Sequence, residues 1–361
     1  MELIKNPNFD FIAHRGIALK ISLAVIAVGI FSLILHGGPK YGIDFTGGAA
    51  ITFKFEQEVA AEDIRDVLNR AGIQSFEVTH FGDRNHVLVR LQLTDAGDNT
   101  YLGTITTRLD QAMPDNPYIV EQSDLVGPKI GTELREKAML AMLFALIGII
   151  IYISIRFEAE SFLGVLVTLI FGLVVLTVST TSVVLASDLW TILIIALSAG
   201  VVGFICVKFD FKYAMGAIVA LIHDVTITVG VFSLLNKEID LPIVAALLAL
   251  IGYSLNDTIV LFDRIREEYP KERKRLSLDR IINKSINNVL SRTVITSLTT
   301  MIVVLILLIF GGEVIRPFAL AIFIGIIVGT YSSIYVASPV LIYWHNRFGA
   351  GADLTSRKAT A

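Results

Sequence analysis

Residues 241–262 read LPIVAALLALIGYSLNDTIVLF, 22 residues that carry a single charge, Asp257. A helix needs about 20 mostly apolar residues to cross a hydrocarbon core of roughly 30 Å. This run therefore predicts a membrane-spanning helix with an acid inside it, and an acid at that depth is costly enough to be informative. The whole chain agrees. Of its 361 residues 54% are hydrophobic and 17% charged, with a mean hydropathy of +0.70, whereas a soluble domain is nearer one quarter charged. The net charge of −3 gives no basic field for nucleic acid. One cysteine, Cys206, excludes intramolecular disulfides and multi-cysteine metal sites.

Eight stretches are long enough to span: 17–35, 138–155, 162–186, 189–207, 211–235, 241–262, 289–311 and 318–344. The first is read as a retained anchor, because it holds Lys20 and lacks a small-x-small cleavage site. Lys and Arg set the orientation. The segment 264–284 has eight basic and four acidic residues, and Lys5, Arg15, Lys20, Arg156, Lys208 and Lys212 lie on the same side. The opposite loops are nearly free of base. Eight spans with both termini in the cytoplasm satisfy every loop.

The large hydrophilic block, 36–137, then lies outside the membrane, with 16 acidic and 10 basic residues. Its pattern reads strand 43–55, helix 60–71, strands 73–81 and 86–93, helix 100–113 and strand 118–126. That βαββαβ order predicts a ferredoxin-like α+β domain. A weak internal repeat relates 151–170 to 203–222, each with a base-aromatic-acid triplet such as Arg156-Phe157-Glu158. The tail 349–361 is small and polar.

The polar residues at membrane depth are Asn256 and Asp257, the His223-Asp224 pair at the midpoint of its span, and Arg292 just inside the next but one. Asp257 sits about six residues, or roughly 9 Å, from the cytoplasmic end of its helix. Arg292 sits about one turn from the same boundary on an antiparallel helix, so their pairing is geometrically allowed. Burial favours a neutral acid, while a nearby guanidinium favours the carboxylate. Breaking a buried pair costs ~3–5 kcal/mol, and one charge crossing ~100 mV is worth about 2.3 kcal/mol, so a proton gradient is of the right size to work such a pair. Plainer roles stand beside this one: Asp257 as a lock between helices, Arg292 reaching to lipid headgroups, and His223-Asp224 as a structural pair. No GxSxG, HExxH or GxxxxGK[ST] motif is present. No cytoplasmic block has the size of a nucleotide-binding fold.

These residues carry a resemblance. YGIDFTGG at 41–48, with Gly42, Asp44, Gly47 and Gly48, resembles the signature of the SecD/SecF family of export proteins. FDFIAHRG at 9–16, ALIHDV at 220–225, GYSLNDTIVLFDRIRE at 252–267 and SRTVITSLTT at 291–300 resemble its SecF branch. The resemblance implies a Sec-translocon accessory subunit of the resistance-nodulation-division (RND) superfamily, without a cofactor or catalytic residue. It implies pairing with SecD as a separate chain, contact with SecYEG and YajC, and preprotein export across the bacterial inner membrane driven by the proton-motive force. Asp257 and Arg292 match the family's proton-pathway acid and arginine; Asn256, Asp224 and His223 are further candidates for that path.

One departure is expected. Family members have six spans, but here an extra pair of helices is read at 160–208, peripheral to the proton path. The expected layout is a cytoplasmic N-terminus at 1–16, a first span at 17–35, the exported domain at 36–137 and a second span at 138–159. The inserted pair (160–208) follows, then four core helices at 209–345, including a basic loop at 264–288, and a tail at 346–361. A structural scaffold without proton transport, or half of an RND-type exporter of small molecules or lipids, are the competing functions.

Overall fold

The computed structural model describes residues 7–73, 76–91, 100–158 and 212–348. Its elements are α1 (Arg15–Leu35), α2 (Ile43–Thr46), β1 (Gly48–Phe55), α3 (Ala61–Arg70), β2 (Phe76–Phe81), β3 (Asp83–Leu91), α4 (Thr100–Ala112) and β4 (Tyr118–Val126). Then come α5 (Pro128–Glu158), α6 (Lys212–Leu234), α7 (Leu241–Glu272), α8 (Leu278–Phe310), α9 (Gly312–Ser332), a π-helical turn (Ser333–Ala337) and α10 (Ser338–Phe348). Among the described residues six helical stretches are long and apolar enough to cross a membrane: Ile12–Leu35, Pro128–Phe157, Lys212–Leu234, Leu241–Glu272, Leu278–Phe310 and Val314–Arg347. The spans expected at 162–186 and 189–207, and with them the inserted pair at 160–208 and Cys206, lie outside the described residues.

The hydrophilic block folds around one four-stranded antiparallel sheet in the order β2-β3-β1-β4. Ala49, Ile51, Phe53 and Phe55 alternate along β1 and are buried with Val87, Val89 and Leu91 of β3. Onto that face pack Ile64, Val67 and Leu68 of α3 and Ile105 and Leu109 of α4. Period-2 strands facing period-3.6 helices is the pattern the sequence carries. The Tyr118 hydroxyl at the start of β4 donates to Thr106 O at 3.0 Å and Asp110 Oδ1 at 2.9 Å. Burial and the Asp110 carboxylate raise its pKa.

The strand read from residue 86 already begins at Asp83, where it pairs with Phe81 across a tight turn, and three further boundaries differ from the sequence reading, each for a local reason. The strand expected from residue 43 begins at Gly48, because Ile43–Thr46 forms a helical turn closed by Gly47 at φ 73°. A Cβ on Gly47 would lie 2.5 Å from Pro128 Cα, so both the space and the left-handed backbone require glycine there. Second, α5 begins at Pro128, ten residues before the apolar run, since proline is preorganised for a first helical turn. Third, the basic stretch 264–288 is mostly helix, continuing α7 to Glu272 and starting α8 at Leu278. Its charges are arranged to support helices. Arg264 pairs with Glu268 at 3.1 Å and Lys271 with Glu267 at 2.8 Å, both at i,i+4 spacing. Lys284 of α8 reaches across to Glu272 at 2.8 Å and Glu268 at 3.0 Å on α7.

In the apolar bundle α1 lies against α6 at a glycine contact, where a Cβ on Gly29 would come within 2.9 Å of Gly230 Cα. Small residues let two helices approach this closely. Phe157, Tyr213 and Phe262 form the aromatic centre of the main core, with Phe157 stacked on Tyr213 at 5.1 Å between centroids. Beside it Arg156 pairs with Asp263 at 2.6 Å. The triplet's arginine and aromatic thus close the α5–α7 contact.

Candidate functional site: a buried polar seam

Asp224, halfway along α6, is fully buried, and its neighbour His223 is nearly so. An isolated charge there would be expensive, so the partners matter. His223 Nδ1 lies 2.9 Å from Asp224 Oδ1. On the other oxygen, Oδ2, Ser254 of α7 donates at 2.5 Å and Ser332 of α9 at 2.9 Å. Thr228 bonds back to the Asp224 carbonyl at 2.8 Å. His223 Nε2 reaches Ser22 of α1 at 3.0 Å, and Ser22 donates to the Tyr331 hydroxyl at 3.1 Å. Tyr331 stacks on the imidazole, with centroids 6.0 Å apart. Three helices, α6, α7 and α9, therefore converge on one carboxylate, and α1 joins them through the His223 ring. Ser332, a member of the cluster, is followed directly by the π-helical turn, a distortion common at functional positions.

Asp257 lies one turn beyond Ser254 on α7 and is also buried. Ser297 of α8 stands at its carboxylate, with the Arg292 guanidinium within electrostatic reach. Ser297 also lies 2.6 Å from the Thr330 hydroxyl of α9. Among the described residues no direct ion pair joins Asp257 to Arg292, and Arg292 is exposed on the outside of the bundle. Asn256 is exposed as well, on a different face of α7 from Asp257. Of the five candidate residues, the structure gathers His223, Asp224 and Asp257 along one seam. Arg292 flanks it, and Asn256 points elsewhere.

The seam has members that the sequence reading did not single out, Ser22, Ser254, Thr330, Tyr331 and Ser332, whereas Ser297 lies in the polar stretch SRTVITSLTT at 291–300. A second hydroxyl pair, Ser32 with Ser233 at 2.8 Å, joins α1 to α6 nearer the sheet domain, where His36 Nδ1 is 3.3 Å from Ser32. Lone hydroxyls on apolar helices leave little trace in hydropathy, and the close approach of Gly329 to Ser254 is a product of the packing. Chemically, carboxylates linked by hydroxyls and an imidazole can hold a proton and hand it on, since each of those groups both donates and accepts. No group of three or more His, Cys, Asp or Glu among the described residues has the arrangement of a metal site.

The signature residues serve a different place. Gly42, Asp44, Gly47 and Gly48 lie where α1, the sheet domain, α5 and the α6–α7 connection meet. Gly42 N–H donates to Ile239 O at 2.9 Å, and Asp44 Oδ2 accepts from Leu241 N–H at 3.0 Å.

Comparison with known proteins explains this layout. The family described as protein export membrane protein SecD/SecF, C-terminal, matches residues 106–197 and 178–347. The SecD/SecF GG motif matches residues 32–59. The protein translocase subunit SecF of Calditerrivibrio nitroreducens is 43% identical over 94% of this chain and 95% of its own length. The chain belongs to the SecD/SecF family, in its SecF branch. That of Pseudomonas aeruginosa, also a SecF, is 35% identical over 94% of this chain and 92% of its own. The crystal structure of SecDF from Thermus thermophilus, described as a translocon-associated membrane protein, superposes with a TM-score of 0.70 at 36% identity. That match covers 96% of this SecF-branch chain but 40% of the SecDF chain. Six apolar helices among the described residues, SecF relatives and a SecDF neighbour together make this a multi-pass membrane protein.

Proposed function

We propose that this chain is the SecF-type subunit of an accessory complex of the bacterial Sec translocon. It pairs with a separate SecD-type chain and uses the proton-motive force to promote preprotein movement across the inner membrane. The observation that carries the reading is the burial of Asp224 and Asp257 among hydroxyl-bearing helices of a SecD/SecF-family bundle. Intramembrane acids of this kind mark ion and proton pathways. In this reading Asp257 exchanges a proton, Arg292 compensates its charge when it is ionised, and the His223–Asp224 cluster holds the neighbouring helices in register.

Further parts of the proposal follow the same logic. The sheet order β2-β3-β1-β4 with both helices on one face supports a ferredoxin-like domain. The concentration of Lys and Arg around the α7–α8 turn supports a cytoplasmic position for that end and for both termini. The sheet domain then faces the exported side, where emerging preprotein is found, and SecYEG with YajC are the expected neighbours.

The test is translocation by the chain reconstituted with its SecD-type partner and SecYEG. Asp257→Asn and Arg292→Ala are each expected to abolish the stimulation given by an imposed proton gradient, with complex assembly unchanged. Undiminished stimulation in both variants would leave only a scaffold role.

A further inference from the structure

The family signature and the α6–α7 connection are stitched into one joint. Ile239 N–H donates to Lys40 O at 2.7 Å and Gly42 N–H donates to Ile239 O at 2.9 Å, a short parallel bridge. Asp240 caps α7 by accepting from Ile243 N–H at 3.0 Å, while Asp44 accepts from Leu241 N–H at 3.0 Å. Two carboxylates thus meet the first turn of one helix, where the helix dipole and free N–H groups favour negative charge. One of them, Asp44, comes from the segment that leads into the sheet.

A charge cluster ties the sheet itself to this place. Glu238 is 14% exposed and lies 2.9 Å from Arg90 of β3 and 3.4 Å from Lys40. Lys40 also pairs with Glu77 of β2 at 2.7 Å. Arg90–Glu238 joins a strand of the sheet directly to the α6–α7 connection of the bundle. On the flanking α5, the Arg135 guanidinium lies 4.9 Å from the Tyr41 ring centroid. The helix held by this joint, α7, is the one that carries Ser254 and Asp257. Asp257 is 16 residues along it from Leu241, roughly 24 Å at the α-helical rise.

We propose that Asp44, Arg90 and Glu238 are positioning residues of a coupling joint, which fixes the sheet domain to the N-terminus of α7 so that the two move together. A displacement of the domain by its cargo is then transmitted along α7 to the Asp257 region, and a rearrangement at Asp257 is transmitted back. The mechanical claim stands on the joint alone; its consequence for translocation rests on the export reading above.

The experiment uses the full chain in complex with its SecD-type partner, in lipid vesicles, with Cys206→Ser and spin labels at the exposed positions Asn69 and Val314. The expected result is one narrow distance distribution in the otherwise native protein. Glu238→Arg places like charges together and is expected to broaden it, while adding Arg90→Glu restores it. Translocation is expected to fall severalfold in Glu238→Arg and recover in the double variant. Asp44→Asn keeps an oxygen acceptor for Leu241 N–H and is expected to retain activity that Asp44→Ala loses. An unchanged distribution in Glu238→Arg, or a broadened one without loss of translocation, overturns the coupling. If Asp257→Asn keeps proton-driven translocation, the export reading fails while the label distances still judge the joint.

Discussion

Asp224 has no exposed surface, yet it keeps four side-chain or backbone contacts: the His223 ring, the Ser254 and Ser332 hydroxyls, and Thr228 at its carbonyl. Removing a buried acceptor leaves its donors unsatisfied, at about 1–3 kcal/mol. Asp224→Ala is therefore expected to lower the thermal midpoint of the purified protein, and Asp224→Asn to lower it less, because the amide oxygen still accepts from the serines. Equal midpoints for all three proteins would contradict the cluster's role in holding the helices. Glu238 gives a pH prediction. Burial is the largest influence on it and raises its pKa above the ordinary glutamate value, against the opposing effect of Arg90 and Lys40. A carboxyl with a raised value when docked binds its proton more tightly docked than free. Docking of the sheet domain is thus strengthened as pH falls and weakened as pH rises through the raised value. Glu238→Gln is expected to remove that pH dependence without undocking the domain, read from the Asn69–Val314 label distance followed as a function of pH.

Among the elements, what was legible in the sequence was what periodicity can encode. The β1 alternation and the apolar face of α3 both follow from spacing, and both stand in the sheet domain. Charge misled where it was read as a loop: Arg264 to Lys284 is polar, but its residues are good helix formers with i,i+4 partners, so α7 and α8 run through it. The segment 43–46 became a helical turn because the glycine at 47 and the capping contact of Asp44 to another helix decide it, and neither is a local hydropathy signal. Gly47→Ala is expected to strain a φ of 73° and to force Pro128 away. The loss is about 1–3 kcal/mol from backbone strain alone, measurable as a lower midpoint and reduced yield of membrane-inserted protein. Gly230→Val is expected to part α1 from α6 and break the Ser32–Ser233 and Ser22–His223 contacts. Cross-linking yield between cysteines placed on α1 and α6 checks this, with wild-type yield in Gly230→Val contradicting it.

For the whole molecule, the candidate acids could be found from sequence because charge is rare in apolar helices, but the faces of those helices could not. A direct Asp257–Arg292 pair was allowed by spacing. In the folded protein Ser297 stands at Asp257 instead, and Arg292 lies on the bundle's exterior, near enough to act through its field. Which residues meet is set by how α6, α7, α8 and α9 pack around one another, through close contacts such as Gly325 on Leu250 and Gly329 on Ser254. The seam and the joint lie on the same helix, α7, one at its middle and one at its N-terminus. Proton exchange at one and domain movement at the other are in this account linked through a single helix. The most direct test is proton flux through vesicles holding this chain with its SecD-type partner, reported by a pH-sensitive dye while a preprotein is engaged. The account predicts cargo-dependent flux in the native protein and its loss in Asp257→Asn. Native flux in Asp257→Asn would contradict it.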